Sequence, residues 1–169
     1  MRYIWVLLAG LFALFGAVYA SSAAAQSLTS EQFKDWTIRC QAIPESRDKL
    51  CEMIQSVSQN TTGKTLAQIA LGRKDSNSPW LSFLLVPLGV DIPFGVYLVH
   101  ENGLEDRAMV VRCTNAGCRA RWSPNEASIA AMKAGSASQL VFRNIENKAV
   151  RIPLSMNGFT AALAKLQQD

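Results

Sequence analysis

An apolar leader followed by two closely spaced cysteine pairs limits what this chain can become more than any other feature. Arg2 opens a short positive stretch, Ile4 to Val18 is a run of apolar, Gly and Ala residues, and Ala23-Ala24-Ala25 offers the small residues of a cleavage site. This is the pattern of a secretory signal peptide over residues 1–25, with Gln26 as the expected new N-terminus. The apolar run falls short of the roughly 20 residues that span a membrane comfortably. Export places the remainder in an oxidising compartment, where an even number of cysteines reads as disulfides. The four are Cys40, Cys51, Cys113 and Cys118, and four cysteines allow three connectivities.

Local sequence favours one connectivity. Asp35 to Cys40 alternates polar and apolar residues as a half-buried strand does, and Cys51 to Ser58 is a second strand-like run. The polar stretch Gln41 to Leu50, with Pro44, lies between them. A hairpin of these two strands sets Cys40 opposite Cys51. Ala108 to Cys113 and Cys118 to Trp122 repeat the arrangement around Thr114-Asn115-Ala116-Gly117. Asn and Gly tolerate the positive φ of a tight reversal. The expected pairs are therefore Cys40–Cys51 and Cys113–Cys118, each contributing about 2 to 3 kcal/mol by chain entropy. Cys113 and Cys118 lack the Cys-x-x-Cys spacing of a thiol oxidoreductase, and oxidised thiols cannot hold zinc.

Residues 26–169 make one ordinary domain with a polar lead-in, 26–32, that is expected to be loosely ordered. Strand-like segments recur at Leu66 to Leu71, Trp80 to Val86, Phe94 to Val99, Gln139 to Arg143 and Ala149 to Leu154, the last two flanking a turn at 144–148. Short strands punctuated by Gly, Pro and Asn predict a mainly β sandwich or barrel. Trp80 to Val99 mimics a membrane span in hydropathy. Pro87, Gly89, Asp91, Pro93 and Gly95 interrupt it, so it reads as strand–loop–strand. One helix is expected after the capping box Ser123-Pro124-Asn125-Glu126, with Gly135 at its end. A second follows Gly158, with Phe159, Ala162, Leu163 and Leu166 on one apolar face that reads as core packing.

Catalytic constellations do not appear. His100 is the single histidine, and Glu101-Asn102-Gly103 after it suggests an exposed loop position. No Gly-x-Ser-x-Gly motif or calcium loop is present, the scattered carboxylates form no acid/base pair, and no cofactor motif occurs. Gly63-Lys64-Thr65 lacks the earlier glycine of a phosphate loop, since position 58 is Ser58. The formal charge of +4 falls by one with Arg2 and is dispersed along the chain. This argues against nucleic acid and permits anionic partners.

One basic patch stands out. Arg112, Arg119 and Arg121 flank the second cysteine pair, with Arg107 a strand length away. On a hairpin, Arg119 and Arg121 share a face while Trp122 points to the other. A basic tip fixed by a disulfide suits an anionic sugar, a phosphate or an acidic protein surface. Solvated arginines that keep a sheet edge from aggregating are the plainer reading.

Trp36 followed by Cys40, then Cys51, Pro87-Leu88-Gly89-Val90, Gly95-Val96, Cys113, Gly117-Cys118, Gly158-Phe159 and Ala162-Leu163 run through nearly the whole mature chain. In this order and spacing they resemble the invasion associated locus B family of exported bacterial proteins. The resemblance implies an immunoglobulin-like β-sandwich with two short helices and two hairpin-closing disulfides. It also implies a periplasmic or outer-surface location and no known catalytic activity. Trp36 and Phe159 become core anchors, the glycines turns and the cysteines clamps. The function implied is a non-catalytic, secreted binding module, in pathogens contributing to host-cell adhesion or invasion and virulence. The alternative is a periplasmic envelope factor that binds lipid or glycan or assists other envelope proteins. The partner is an unidentified envelope or host-surface component, with anionic surfaces among the candidates.

Overall fold

The computed structural model describes residues 28–44 and 48–168. The expected signal peptide, 1–25, lies outside them. Ten strands and two helices follow one another: β1 (Leu28–Phe33), β2 (Trp36–Ala42), β3 (Lys49–Ser58), β4 (Thr65–Gly72), β5 (Leu81–Val86), β6 (Val96–His100), β7 (Glu105–Thr114), β8 (Gly117–Trp122), α1 (Glu126–Ala134), β9 (Ala137–Arg143), β10 (Ala149–Ser155) and α2 (Phe159–Leu166). The protein is mainly β, with two helices and two disulfides.

The strands form one ladder in the order β1-β2-β3-β4-β5-β8-β7-β6-β9-β10, every adjacent pair antiparallel. Strand β7 carries the ladder from one half to the other. Glu105 to Ala108 pair with β6, and Met109 onward pairs with β8. The register slips between Val110 and Arg112, which leaves Val111 as an extra residue. Such a bulge bends a strand and strengthens its twist.

Side chains outside the ladder then join β2 and β3 to β10. The Trp36 indole Nε1 donates to the Ser155 carbonyl at 3.0 Å, and Gln55 Nε2 donates to the same oxygen at 2.7 Å. The Ser155 N–H returns a bond to Gln55 Oε1 at 2.9 Å. Trp36 is fully buried and meets Phe159 of α2 edge-on, with ring centroids 5.1 Å apart. One core results: Ile38, Met53, Ile69, Leu71 and Leu84 from the β1–β5 half, Leu98, Leu140, Phe142 and Leu154 from the other, and Met132, Leu163 and Leu166 from the helices.

Two expectations change. The lead-in is not loose from Leu28 on, because β1 pairs along its length with β2. Its side chains are exposed apart from the half-buried Phe33. Backbone pairing holds it, and that leaves no hydrophobic pattern to read. Helix α1 is capped by Asn125 rather than Ser123: Asn125 Oδ1 accepts from the Ser128 N–H at 2.9 Å, and Pro124 precedes the cap. Asn is itself a favoured N-cap. Among the described residues no helix is long and apolar enough to cross a membrane. The 80–99 segment is β5, a loop and β6.

Gly158, the N-cap residue just before helix α2, has a φ of +92°. A Cβ there would lie 2.0 Å from the Phe33 carbonyl oxygen, so the β1–β2 turn can rest on α2 only if this residue is glycine. Gly158→Ala is expected to cost about 2 to 4 kcal/mol by combining backbone strain with displacement of that turn. Gly63→Ala is the control, because its φ is +65° and nothing lies within 4 Å. It should cost only about 1 to 2 kcal/mol. Urea denaturation of both variants measures the difference, and equal losses would remove the steric argument.

Candidate functional site

Alternation along the first eight strands turns Trp36, Ile38, Met53, Ile69, Leu84, Ala120 and Trp122 inward and leaves the intervening residues on an outer face. On that face Ala70 lies opposite Phe83, Phe83 opposite Arg121, and Arg121 opposite Met109. The adjacent row runs from Leu85 to Arg119 to Arg112. The three candidate arginines, Arg112, Arg119 and Arg121, therefore come together on neighbouring strands.

The second clamp fixes where they sit. Cys113 and Cys118 are register partners joined by a disulfide with Cα atoms 4.0 Å apart, and Cys40 pairs with Cys51 in the same way. Gly117, beside the clamp, has φ +131°, and a Cβ there would lie 2.5 Å from the Val86 carbonyl oxygen. Glycine thus permits the close approach of β8 to the end of β5.

The arginines differ in their surroundings. The Arg119 guanidinium carbon lies 3.6 Å from the centre of the Phe83 ring, a cation–π stack that presents the charge on a rigid apolar base. Arg112 and Arg121 have no hydrogen bond, ion pair or ring contact among the described residues. Arg107 is spent elsewhere: Nη2 donates to the Pro93 carbonyl at 2.7 Å and Nε to that of Phe94 at 3.3 Å. Met109 and Val111 are 67% and 51% exposed beside the unpaired cations. Residue types alone did not identify Phe83, Met109 and Val111 as companions, because the β5–β8 adjacency is not a neighbour relation in sequence. The arrangement offers positive charge on an apolar surface, which suits an anionic partner with apolar character.

His100 corrects the exposed-loop expectation. It is the last residue of β6 and is 3% exposed, because Val96, Leu98 and His100 share the inward side. The turn begins only after it. Its Nδ1 lies 3.0 Å from Ser138 Oγ and its Nε2 lies 2.9 Å from Asp106 Oδ2, while Ser128 Oγ donates to Asp106 Oδ1 at 2.7 Å. The network ties β6, β7, β9 and α1 together. Ser128 and Ser138 are buried, so neither hydroxyl is open to a substrate. Period-two counting from Val96 was the available signal.

Glu101 follows in the turn and accepts from the Ser136 hydroxyl at 2.6 Å and the Ser136 N–H at 2.9 Å. The hydroxyl first, then the N–H, holds its carboxyl below the usual carboxylate range. Among the described residues no group of three or more His, Cys, Asp or Glu is placed to hold a metal ion.

Comparison with known proteins gives consistent matches. The model of the Invasion associated locus B (IalB) protein family matches residues 36–167. Invasion protein B homologs from Brucella abortus strain 2308 and from Brucella abortus biovar 1 strain 9-941 are each 29% identical over 170 residues, covering 94% of this chain and 94% of theirs. The crystal structure of invasion associated protein B from Bartonella henselae superimposes with a TM-score of 0.73 at 22% identity, covering 82% of this chain and 94% of that one.

Removing the ring in His100→Leu leaves the Asp106 and Ser138 side chains short of partners and should cost about 2 to 4 kcal/mol, against about 1 for Ser138→Ala. Urea denaturation measures both, and a neutral His100→Leu would show that the network adds nothing. For Glu101 the folded carboxyl titrates below the unfolded one. Its contribution is present above the unfolded pKa and is lost as pH falls through the folded value. Glu101→Gln should therefore flatten the acid limb of a stability–pH curve and leave its neutral slope unchanged.

Proposed function

The chain belongs to the invasion associated locus B family, and from that premise we propose that it is an exported, non-catalytic binding module of the bacterial envelope or cell surface. In a pathogen it contributes to attachment to, or entry into, host cells. The names of its Brucella and Bartonella relatives support the link to invasion. The signal-peptide pattern of 1–25 supports export, with 26–169 as a single mature domain. In this reading the folded ladder is a two-layered sandwich of immunoglobulin type, supported by the bonds from Trp36 and Gln55 to Ser155 across it.

One observation carries the choice of surface: Arg119 stacked on Phe83, between cations without partners and beside exposed Met109 and Val111. Such a face gains affinity by pairing its arginines with acidic groups and excluding water over the apolar residues. Rim charges act mainly on the association rate and on its salt dependence.

Charge reversal in the double variant Arg119→Glu/Arg121→Glu should lower attachment of the oxidised, purified protein to cultured mammalian cells about tenfold. It should also flatten the dependence of attachment on salt. Stability should fall by no more than about 1 kcal/mol, the magnitude of an exposed cation–π contact. Unchanged attachment would remove this face from the binding surface. Protease shaving of intact bacteria, with a periplasmic marker as control, tests the location. Loss of the protein with the marker intact supports the surface role, and protection until the outer membrane is opened makes it a periplasmic factor instead.

A further inference from the structure

We infer that the outer face of β1–β5 binds one acyl chain of an anionic lipid, with the chain in an apolar groove and the headgroup at Arg73 and Lys74. The site lies beside the arginine face, sharing Phe83 with it, and stands whether or not Arg119 and Arg121 bind a partner. Small residues make the depression. Gly72 lies between Glu52 and Leu81 in register, and Ala70 lies between Ile54 and Phe83. Larger side chains, Leu28, Leu50, Trp80, Leu81 and Phe83, form the walls of a groove of about 430 Å³. That volume lies within the roughly 300–1,000 Å³ of small-molecule sites.

Leu28 and Leu50 give the groove wet aliphatic walls, while Trp80 and Phe83 are each covered on one side by a guanidinium. Leu28 is 65% exposed on β1, whose side chains are nearly all exposed, and Leu50 is 51% exposed on β3, whose inward face already supplies the core. Burying such surface yields about 25 cal/mol for each Å² removed from water. The one carboxylate among the walls is already matched, because Arg39 holds Glu52 at 2.6 Å. Gln41, Ser78 and Ser123 are the neutral polar side chains of the lining, set in a mostly apolar surface that suits a hydrocarbon chain better than a glycan. Backbone N–H and C=O groups of the central strands are consumed by the ladder, so an extended peptide cannot add as a strand on this face.

One end of the groove is different. Arg73 and Lys74, with Leu50 and Cys51, also line a second, larger cavity of about 770 Å³ whose other walls mix Asp48, Lys49 and Gln167 with Ala42, Ile43 and Leu166. The Arg73 guanidinium carbon sits 4.5 Å from the Trp80 ring centre, and Nη1 donates to the Ser76 carbonyl at 3.0 Å. Cation–π stacking and that bond fix the charge at the junction of the two spaces. Asp75 turns into its own loop, where its carboxylate accepts from the N–H groups of Asn77 and Ser78 at 3.0 and 2.9 Å. An apolar channel with Arg73 and Lys74 at the end that opens into a wider space of mixed lining matches a molecule with one hydrocarbon tail and an anionic head.

The test uses the oxidised mature protein with lysophosphatidylglycerol below its micelle concentration, and lysophosphatidylcholine as the zwitterionic comparison. Native mass spectrometry should show a 1:1 complex, and tryptophan emission should shift as Trp80 is covered. Arg73→Glu/Lys74→Glu should weaken the anionic lipid about tenfold and leave the zwitterionic one unchanged. Leu28→Ser/Leu50→Ser, at exposed positions that do not threaten the core, should weaken both. Arg112→Glu, which leaves the Arg119 stack on Phe83 in place, should bind lysophosphatidylglycerol as the parent does, which separates this site from the arginine face. No 1:1 complex with either lipid, variants that bind like the parent, or binding to phosphatidylglycerol vesicles alone would each overturn the assignment.

Discussion

The buried indole of Trp36 is the contact on which the architecture depends. A ladder of ten strands has two ends, and here β2 and β10 lie eight places apart in the strand order. The indole N–H reaches the Ser155 carbonyl, and the Gln55 amide donates to that carbonyl and accepts from the Ser155 N–H. Phe159 meets the ring edge-on and brings α2 against the join. An aromatic pair of this geometry is worth about 0.5 to 1.5 kcal/mol beyond its buried area. The hydrogen bonds satisfy polar groups that would otherwise be costly to bury. Hydrophobic burial from both halves is thereby directed into one core. Gly158 belongs to the same join, because its missing side chain lets the β1–β2 turn rest on the start of α2.

Much of this was legible in the sequence, for reasons that differ by element. Both cysteine clamps sit where two alternating runs meet a polar turn, and each lies at a directly opposed pair in the ladder. The apolar face of α2 was readable because Phe159, Ala162, Leu163 and Leu166 follow helical spacing and are all buried. The strand neighbours β5–β8 and β6–β9 were not, since nothing local records a pairing across two or three intervening elements. For that reason the three arginines could be named while the Phe83 ring beneath Arg119 could not. His100 was misplaced because the turn that follows it outweighed its position in the strand's alternation. Strand β1 was missed because pairing of its backbone leaves no trace in its side chains.

The outer face of the first half of the ladder holds two kinds of surface next to each other. On β7 and β8 the charge is raised on apolar side chains and is open to large surfaces. On β3, β4 and β5 the small residues of the central strand make a channel instead. Phe83 is common to both, forming a wall of the channel and a base for Arg119. A packed ladder and two disulfides hold this face in one geometry, so a partner need not first order a loop. Preorganisation of this kind reduces the entropic cost of association.

The bulge at Val111 acts as a parity correction. Val110 lies opposite Ala120 and Cys113 opposite Cys118, so the same two register steps cover three positions on β7 but two on β8. Strict alternation over three positions would send Val110 and Cys113 to opposite sides of the sheet. The extra residue cancels that mismatch, returning the cysteine to the side of its partner and keeping Arg112 level with Arg119. A chain one residue shorter here would have to choose between closing the clamp and burying Val110. The second disulfide and the level placement of Arg112 with Arg119 are thus two outcomes of one inserted residue.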